Sequence, residues 1–139
     1  MKRVLIDTDI ILDFYFDRKP FSDDANAILS YCELEKLKGF ITPVIFSNLF
    51  YLLKKTATHK KVINQLKQLL LLVDVLTMDK KIVLHALNSS DFKDLEDGLQ
   101  HYAALQDGKI EAILTRNTKD FRKSVLPVFL PSTFIKQLG

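Results

Sequence analysis

The chain has 139 residues, the usual size of one domain and enough to bury a core. With 47% apolar and 27% charged residues it is not a disordered chain. The formal charge of +3 would ease the approach of a polyanion, but is too small to imply one.

A short apolar run, Arg3-Val4-Leu5-Ile6, stops at Asp7-Thr8-Asp9. That pattern predicts a buried strand with acids at its carboxyl end. Residues 10–16 have helical character, and Arg18-Lys19-Pro20-Phe21 breaks it. Ser22 then reads as an N-cap with Asp23 and Asp24 in the first turn, a helix over 25–38, and Gly39 as its C-terminal stop. Phe40-Ile41-Thr42 is a second strand, and Pro43 suits the first position of the next helix. Two helices over 44–55 and 59–72 join near Thr56-Ala57-Thr58. A third strand over 73–77, helices over 79–88 and 95–106, strands over 112–115 and 128–130, and a short helix from Pro131 complete the chain.

Strands alternating with helices predict an α/β fold, a parallel sheet of about five strands with helices on both faces. No compositional break, repeat or low-complexity tract divides residues 1–139, so a single domain is expected. The lone Cys32 excludes an internal disulfide and reads as a small buried residue. His59, His85 and His101 are too scattered for a zinc site. No signal peptide is visible and the longest apolar run, from Leu69 to Val73, is too short to span a membrane. A cytoplasmic location is the resulting expectation.

Chemistry is suggested by where the acids fall. Asp7 follows the first strand, and Thr115-Arg116-Asn117-Thr118-Lys119-Asp120-Phe121 follows the fourth. Open parallel sheets bind ligands outside the carboxyl ends of their strands. A third group, Asp94-Leu95-Glu96-Asp97-Gly98-Leu99-Gln100, puts Asp94 and Asp97 three apart, on one face near a helix N-terminus. Acids there also suit the helix dipole, so the functional argument is the coincidence of three groups from distant parts of the chain. Clustered carboxylates repel one another, and a hard divalent cation, Mg²⁺ or Mn²⁺, relieves that repulsion. Such an ion can activate water against a phosphodiester. Arg116, Lys119, Arg122 and Lys123 lie beside the last acids and are candidates for holding a nucleic-acid backbone.

These residues, in this order, resemble the PIN domain family, which includes the VapC-type toxins of bacterial toxin–antitoxin pairs. Val4-Leu5-Ile6-Asp7-Thr8-Asp9-Ile10-Ile11-Leu12-Asp13 resembles the first family motif, Glu96-Asp97-Gly98-Leu99-Gln100 the third, and Ile113-Leu114-Thr115-Arg116-Asn117-Thr118-Lys119-Asp120-Phe121 the last. The resemblance implies a three-layer α/β/α domain and a metal-dependent endoribonuclease. Asp7, Asp97 and Asp120 would bind metal, and Asp94 would join the catalytic set. Asp9, Thr8, Asn48, Glu96, Thr115 and Asn117 would support them. Asn48 stands where most members carry Glu, and Asn117 where Asp is frequent, which would lower metal affinity. An alternative reading is therefore a catalytically weak module that binds RNA or a protein.

A receiver-like or phosphoryl-transfer domain is disfavoured, because Gly39, Gly98, Gly108 and Gly139 are too far apart for a phosphate loop. The resemblance also implies an antitoxin partner, whose C-terminal segment would cover the acidic pocket. A surplus of apolar residues between 44 and 72, including Phe46, Phe50, Tyr51, Leu69, Leu70 and Leu71, fits a homodimer face.

Overall fold

The computed structural model describes residues 1–138. Five strands, β1 (Lys2–Ile6), β2 (Leu37–Ile41), β3 (Val73–Val75), β4 (Ala112–Leu114) and β5 (Val128–Phe129), form one parallel sheet in the order β3-β2-β1-β4-β5. Its seven α-helices are α1 (Thr8–Tyr15), α2 (Ser22–Glu33), α3 (Pro43–Leu53), α4 (His59–Leu69), α5 (Lys80–Asn88), α6 (Leu95–Asp107) and α7 (Pro131–Leu138). A 3₁₀ turn covers Thr118–Phe121. Among these helices none is long and apolar enough to cross a membrane.

The central strands are covered on both faces, which is why they read as continuous apolar runs. Val4, Leu5, Ile6, Ile113 and Leu114 are fully buried. β1 pairs with β2 on one side and β4 on the other, Val4 facing Gly39 and Ala112. The chain leaves β1 toward β2 and β3, then returns to build β4 and β5 on the opposite edge. The order therefore reverses between β1 and β4, and a crevice opens outside their carboxyl ends.

Most predicted elements are present with shifted ends, but the region around α2 is different. Gly39 does not stop a helix: it lies inside β2. A Cβ there would come within 2.7 Å of Ile6 Cδ1 and 3.0 Å of Cys32 Sγ, so glycine is what lets buried Cys32 and α2 press onto the sheet. The helix ends at Glu33, and the reversal is made at Glu35, whose φ is 58°. Ser22 is the first helical residue, not the cap. The Arg18 carbonyl accepts the N–H groups of both Phe21 and Ser22, so a preceding turn leads into the helix and Phe21 takes the cap position without a side-chain bond. Of the apolar surplus, Leu69 is buried and Phe46 and Phe50 pack on the core; Tyr51, Leu70 and Leu71 are exposed.

Candidate metal centre

Asp7 ends β1 and begins α1. Its backbone is extended, and its Oδ1 accepts the Thr8 N–H at 2.8 Å, so it caps the helix that follows. Just past the end of β4, the buried Thr115 donates its hydroxyl to Asp7 Oδ2 at 2.8 Å. The Asn117 N–H donates in turn to Thr115 Oγ1 at 3.0 Å. These bonds span the β1–β4 crevice and fix the Asp7 carboxylate in place.

The N-terminus of α6 supplies the second group. Asp94 stands just ahead of the helix, whose start at Leu95 agrees with the predicted 95–106 span, and lies one turn before Asp97. It is the N-cap, with extended backbone, and its carboxylate accepts the Glu96 N–H at 2.8 Å. Asp97 sits in the first turn, and Glu96 accepts the Asn48 side-chain amide from α3. Asp120 comes from the 3₁₀ turn after β4.

Asp7, Thr8, Asp9, Asn48, Asp94, Glu96, Asp97, Arg116, Asn117 and Asp120 line one cavity of about 530 Å³. Leu12, Arg18, Tyr51, Leu52 and Lys55 complete its wall. Lys119 and Arg122 line an adjoining depression of about 350 Å³ that shares Asp94, Asp97 and Asp120. Lys123 is exposed and is not among the residues lining either.

The electrostatics divide the acids into two sets. Burial pushes Asp97 up to about 7, and repulsion from Asp7, Asp94, Asp120 and Glu96 adds to it. Burial also raises Asp7, against the bonds from Thr115 and Thr8 and the nearby Gln100 amide, while Asp120 raises it further. Glu96 is raised by burial and by Asp7 and Asp94. Asp9 is pushed up to about 6, first by burial and then by Asp7. Its Oδ2 accepts the Arg116 N–H at 3.1 Å and the Asn117 amide at 3.2 Å, and its buried Oδ1 makes no hydrogen bond.

The other set is Asp13, which is 1% exposed. Arg116 grips it with two bonds, Nε to Oδ2 at 2.7 Å and Nη2 to Oδ1 at 3.1 Å. Arg18 Nε stands 2.8 Å from Asp13 Oδ1, poorly aligned for a hydrogen bond but close enough for an ion pair. The Arg116 guanidinium also lies over the Phe21 ring at 3.9 Å. Arg116, a sequence candidate for holding a nucleic-acid backbone, thus shares its charge with Asp13 while lining the cavity.

Three features escaped the sequence reading. Asp13 was visible as an acid inside an apolar helix, which requires a partner. Tyr51 and Lys55 follow from Asn48 by helical spacing once α3 is placed. Gln100, one turn after Asp97, is wholly buried with neither amide atom hydrogen-bonded. It lies close enough to Asp7 to favour the carboxylate, without the alignment of a hydrogen bond.

The donor set is all oxygen, which suits a hard divalent ion. Among the described residues, no three His, Cys, Asp or Glu side chains stand close enough to clasp an ion between them. One or two carboxylates with water completing the shell is the arrangement that such a set suits, and Mg²⁺ accepts it. The uncompensated charge around Asp97 is the physical reason a cation would enter.

A PIN domain family model matches residues 3–119. No curated protein sequence matches the chain. Among solved structures, VapBC-1 from nontypeable Haemophilus influenzae aligns with a TM-score of 0.70 at 17% identity, covering 94% of this chain and 98% of that one. VapBC2 from Rickettsia felis, bound to a DNA fragment from its promoter, gives 0.69 at 14% identity, covering 92% and 98%. A toxin–antitoxin complex from Klebsiella pneumoniae gives 0.67 at 22% identity, covering 92% and 97%. At these identities the likeness is one of fold. With its parallel sheet, its acid-lined crevice and a family match across most of its length, the chain belongs to the PIN domain family.

Proposed function

We propose that the chain is a metal-dependent endoribonuclease that hydrolyses RNA phosphodiester bonds in the cytoplasm. The observation that carries this reading is the Asp97 neighbourhood: carboxylates from separate segments share one cavity, and burial, with repulsion among them added, pushes Asp97 up to about 7. A bound divalent cation would relieve both the repulsion and the cost of burying the charge.

Asp7, Asp97 and Asp120 would hold Mg²⁺ or Mn²⁺, one or two of them directly and the rest through water, with Asp94 beside them. Bound there, the ion would supply activated water and neutralise charge on the phosphate. Thr115 and the Thr8 N–H orient Asp7. Asn48 holds Glu96, and Asn117 holds Asp9. Lys119 and Arg122 flank the acids and suit the neighbouring phosphates. The toxin–antitoxin complexes among the structural neighbours support an antitoxin partner, and the exposed Leu70 and Leu71 leave a surface for a second copy.

The test is cleavage of single-stranded RNA with Mg²⁺ or Mn²⁺. Asp7→Asn and Asp97→Asn should each lose on the order of a thousandfold in rate, the size of several kcal/mol of charge stabilisation. Equal cleavage by the variants, or none by the pure protein, would defeat the enzymatic reading. A second reading, a non-catalytic module, draws on Asn48, which gives the cavity one charge fewer than the family pattern. Calorimetry separates them: tight Mn²⁺ binding lost in Asp7→Ala favours the enzyme, and RNA binding indifferent to EDTA favours the module.

A further inference from the structure

The acids explain where a cation would sit, but not what holds a polyanion against a wall of carboxylates. Arg116 and Arg18 are committed to Asp13. The remaining cation on the cavity wall is Lys55, on the side built by α3. Among the described residues it makes no salt bridge.

α3 buries Ile45, Leu49 and Leu53 against the core. Asn48, Tyr51, Leu52 and Lys55 are spaced three, four and seven apart and form an adjacent stripe, all lining the acidic cavity. Lys54 keeps helical backbone, and the Lys55 N–H bonds the Leu52 carbonyl, so the turn carries the stripe past the helix end. Tyr51 is 68% exposed. Its ring stands perpendicular to that of Phe50, centroids 5.3 Å apart, so the two do not stack. A large aromatic on the wall of a polar cavity, one turn from a lysine, matches how single-stranded nucleic acid is held: bases stack on rings and phosphates meet cations. Lys119 and Arg122 stand beyond the acids in the adjoining depression.

We infer that α3 carries a nucleotide-binding subsite, in which Tyr51 stacks one unpaired RNA base and Lys55 holds the adjoining phosphate. The strand enters along α3, crosses the carboxylates and leaves past Lys119 and Arg122. Bases inside a duplex offer no open face to the ring, so the subsite selects single-stranded RNA. The inference rests on the ribonuclease reading, but its test does not need turnover.

Binding of a fluorescently labelled single-stranded RNA is measured by anisotropy in EDTA, on the full chain carrying Asp97→Asn. Adding Tyr51→Ala should weaken binding about tenfold or more, and Tyr51→Phe should retain it, since the stacking face survives. Lys55→Gln should lower the salt dependence by about one phosphate contact. A duplex of the same sequence should bind weakly and ignore Tyr51→Ala. Unchanged affinity in Tyr51→Ala overturns the subsite. So does loss in Tyr51→Phe as well as Tyr51→Ala accompanied by a change in sedimentation, which would assign Tyr51 to a protein interface. If Tyr51 governs binding while no variant cleaves RNA, the subsite stands and the nuclease reading falls. If Asp97-dependent cleavage ignores Tyr51→Ala in KM, the reverse holds.

Discussion

Asp13 is buried and Asp97 half-buried at the same end of the sheet, and the fold treats them in opposite ways. Asp13 lies on α1 with two guanidinium groups against it. Asp97 lies on α6 among four other carboxylates, and burial together with their repulsion drives it up to about 7. The helix dipole helps Asp97, but contributes only some tenths of a kcal/mol to about one. That is less than the cost implied by its shift. The difference teaches how to separate a structural acid from a functional one. A neutralised acid holds segments together: Arg116 follows β4, Arg18 precedes α2, and Asp13 ties both to α1. An unneutralised acid weakens the fold and is informative for that reason.

Removing Asp13 should have the largest effect on stability. Asp13→Ala leaves Arg116 and Arg18 side by side with no counter-charge. Breaking a buried pair costs about 3–5 kcal/mol, and the lower end applies because both guanidinium groups reach solvent. Urea unfolding should show a loss of about 3 kcal/mol. A loss under 1 kcal/mol would mean that the pair is a surface contact.

Removing Asp97 should act in the opposite direction. Its folded pKa is raised, so it contributes stability that is full below its unfolded value and is lost as pH rises through about 7. In metal-free protein at pH 7.5, Asp97→Asn should be more stable than the parent by about 1–2 kcal/mol, after allowing for screening at this half-buried rim. The gap should close as the pH falls toward 4. Mg²⁺ should raise the melting temperature of the parent and leave the variant nearly unmoved. A variant less stable than its parent at pH 7.5 would show that Asp97 is not repelled.

Much of this was legible in the chain. The parallel sheet followed from apolar runs alternating with helical patterns, and Asp7, Asp97 and Asp120 from acids at strand and helix ends. What escaped was set by pairings across the fold. Nothing near Gly39 announces that Ile6 and Cys32 will crowd it, so a glycine after a helical pattern reads as a stop. Nothing near Arg116 announces Asp13, 103 residues away, so a loop arginine reads as available. Asp94, by contrast, was legible just ahead of the helix start at Leu95, where it both caps the helix and lines the cavity.

The smallest effect belongs to Gln100, the neutral neighbour of the uncompensated set. Its amide is wholly buried with neither atom hydrogen-bonded, which costs stability that Met, of similar length, would not incur. Gln100→Met should therefore be neutral or up to about 1 kcal/mol more stable in metal-free protein. The same change removes a group that favours the charged Asp7. Mn²⁺ affinity at pH 7, read by calorimetry, should fall by about tenfold to a hundredfold, the usual loss when a ligand's supporting neighbour is removed. The two readouts move in opposite directions only if Gln100 serves the metal centre. If stability and affinity fall together, Gln100 is packing; if neither moves, Asp7 is positioned by Thr115 and Thr8 alone.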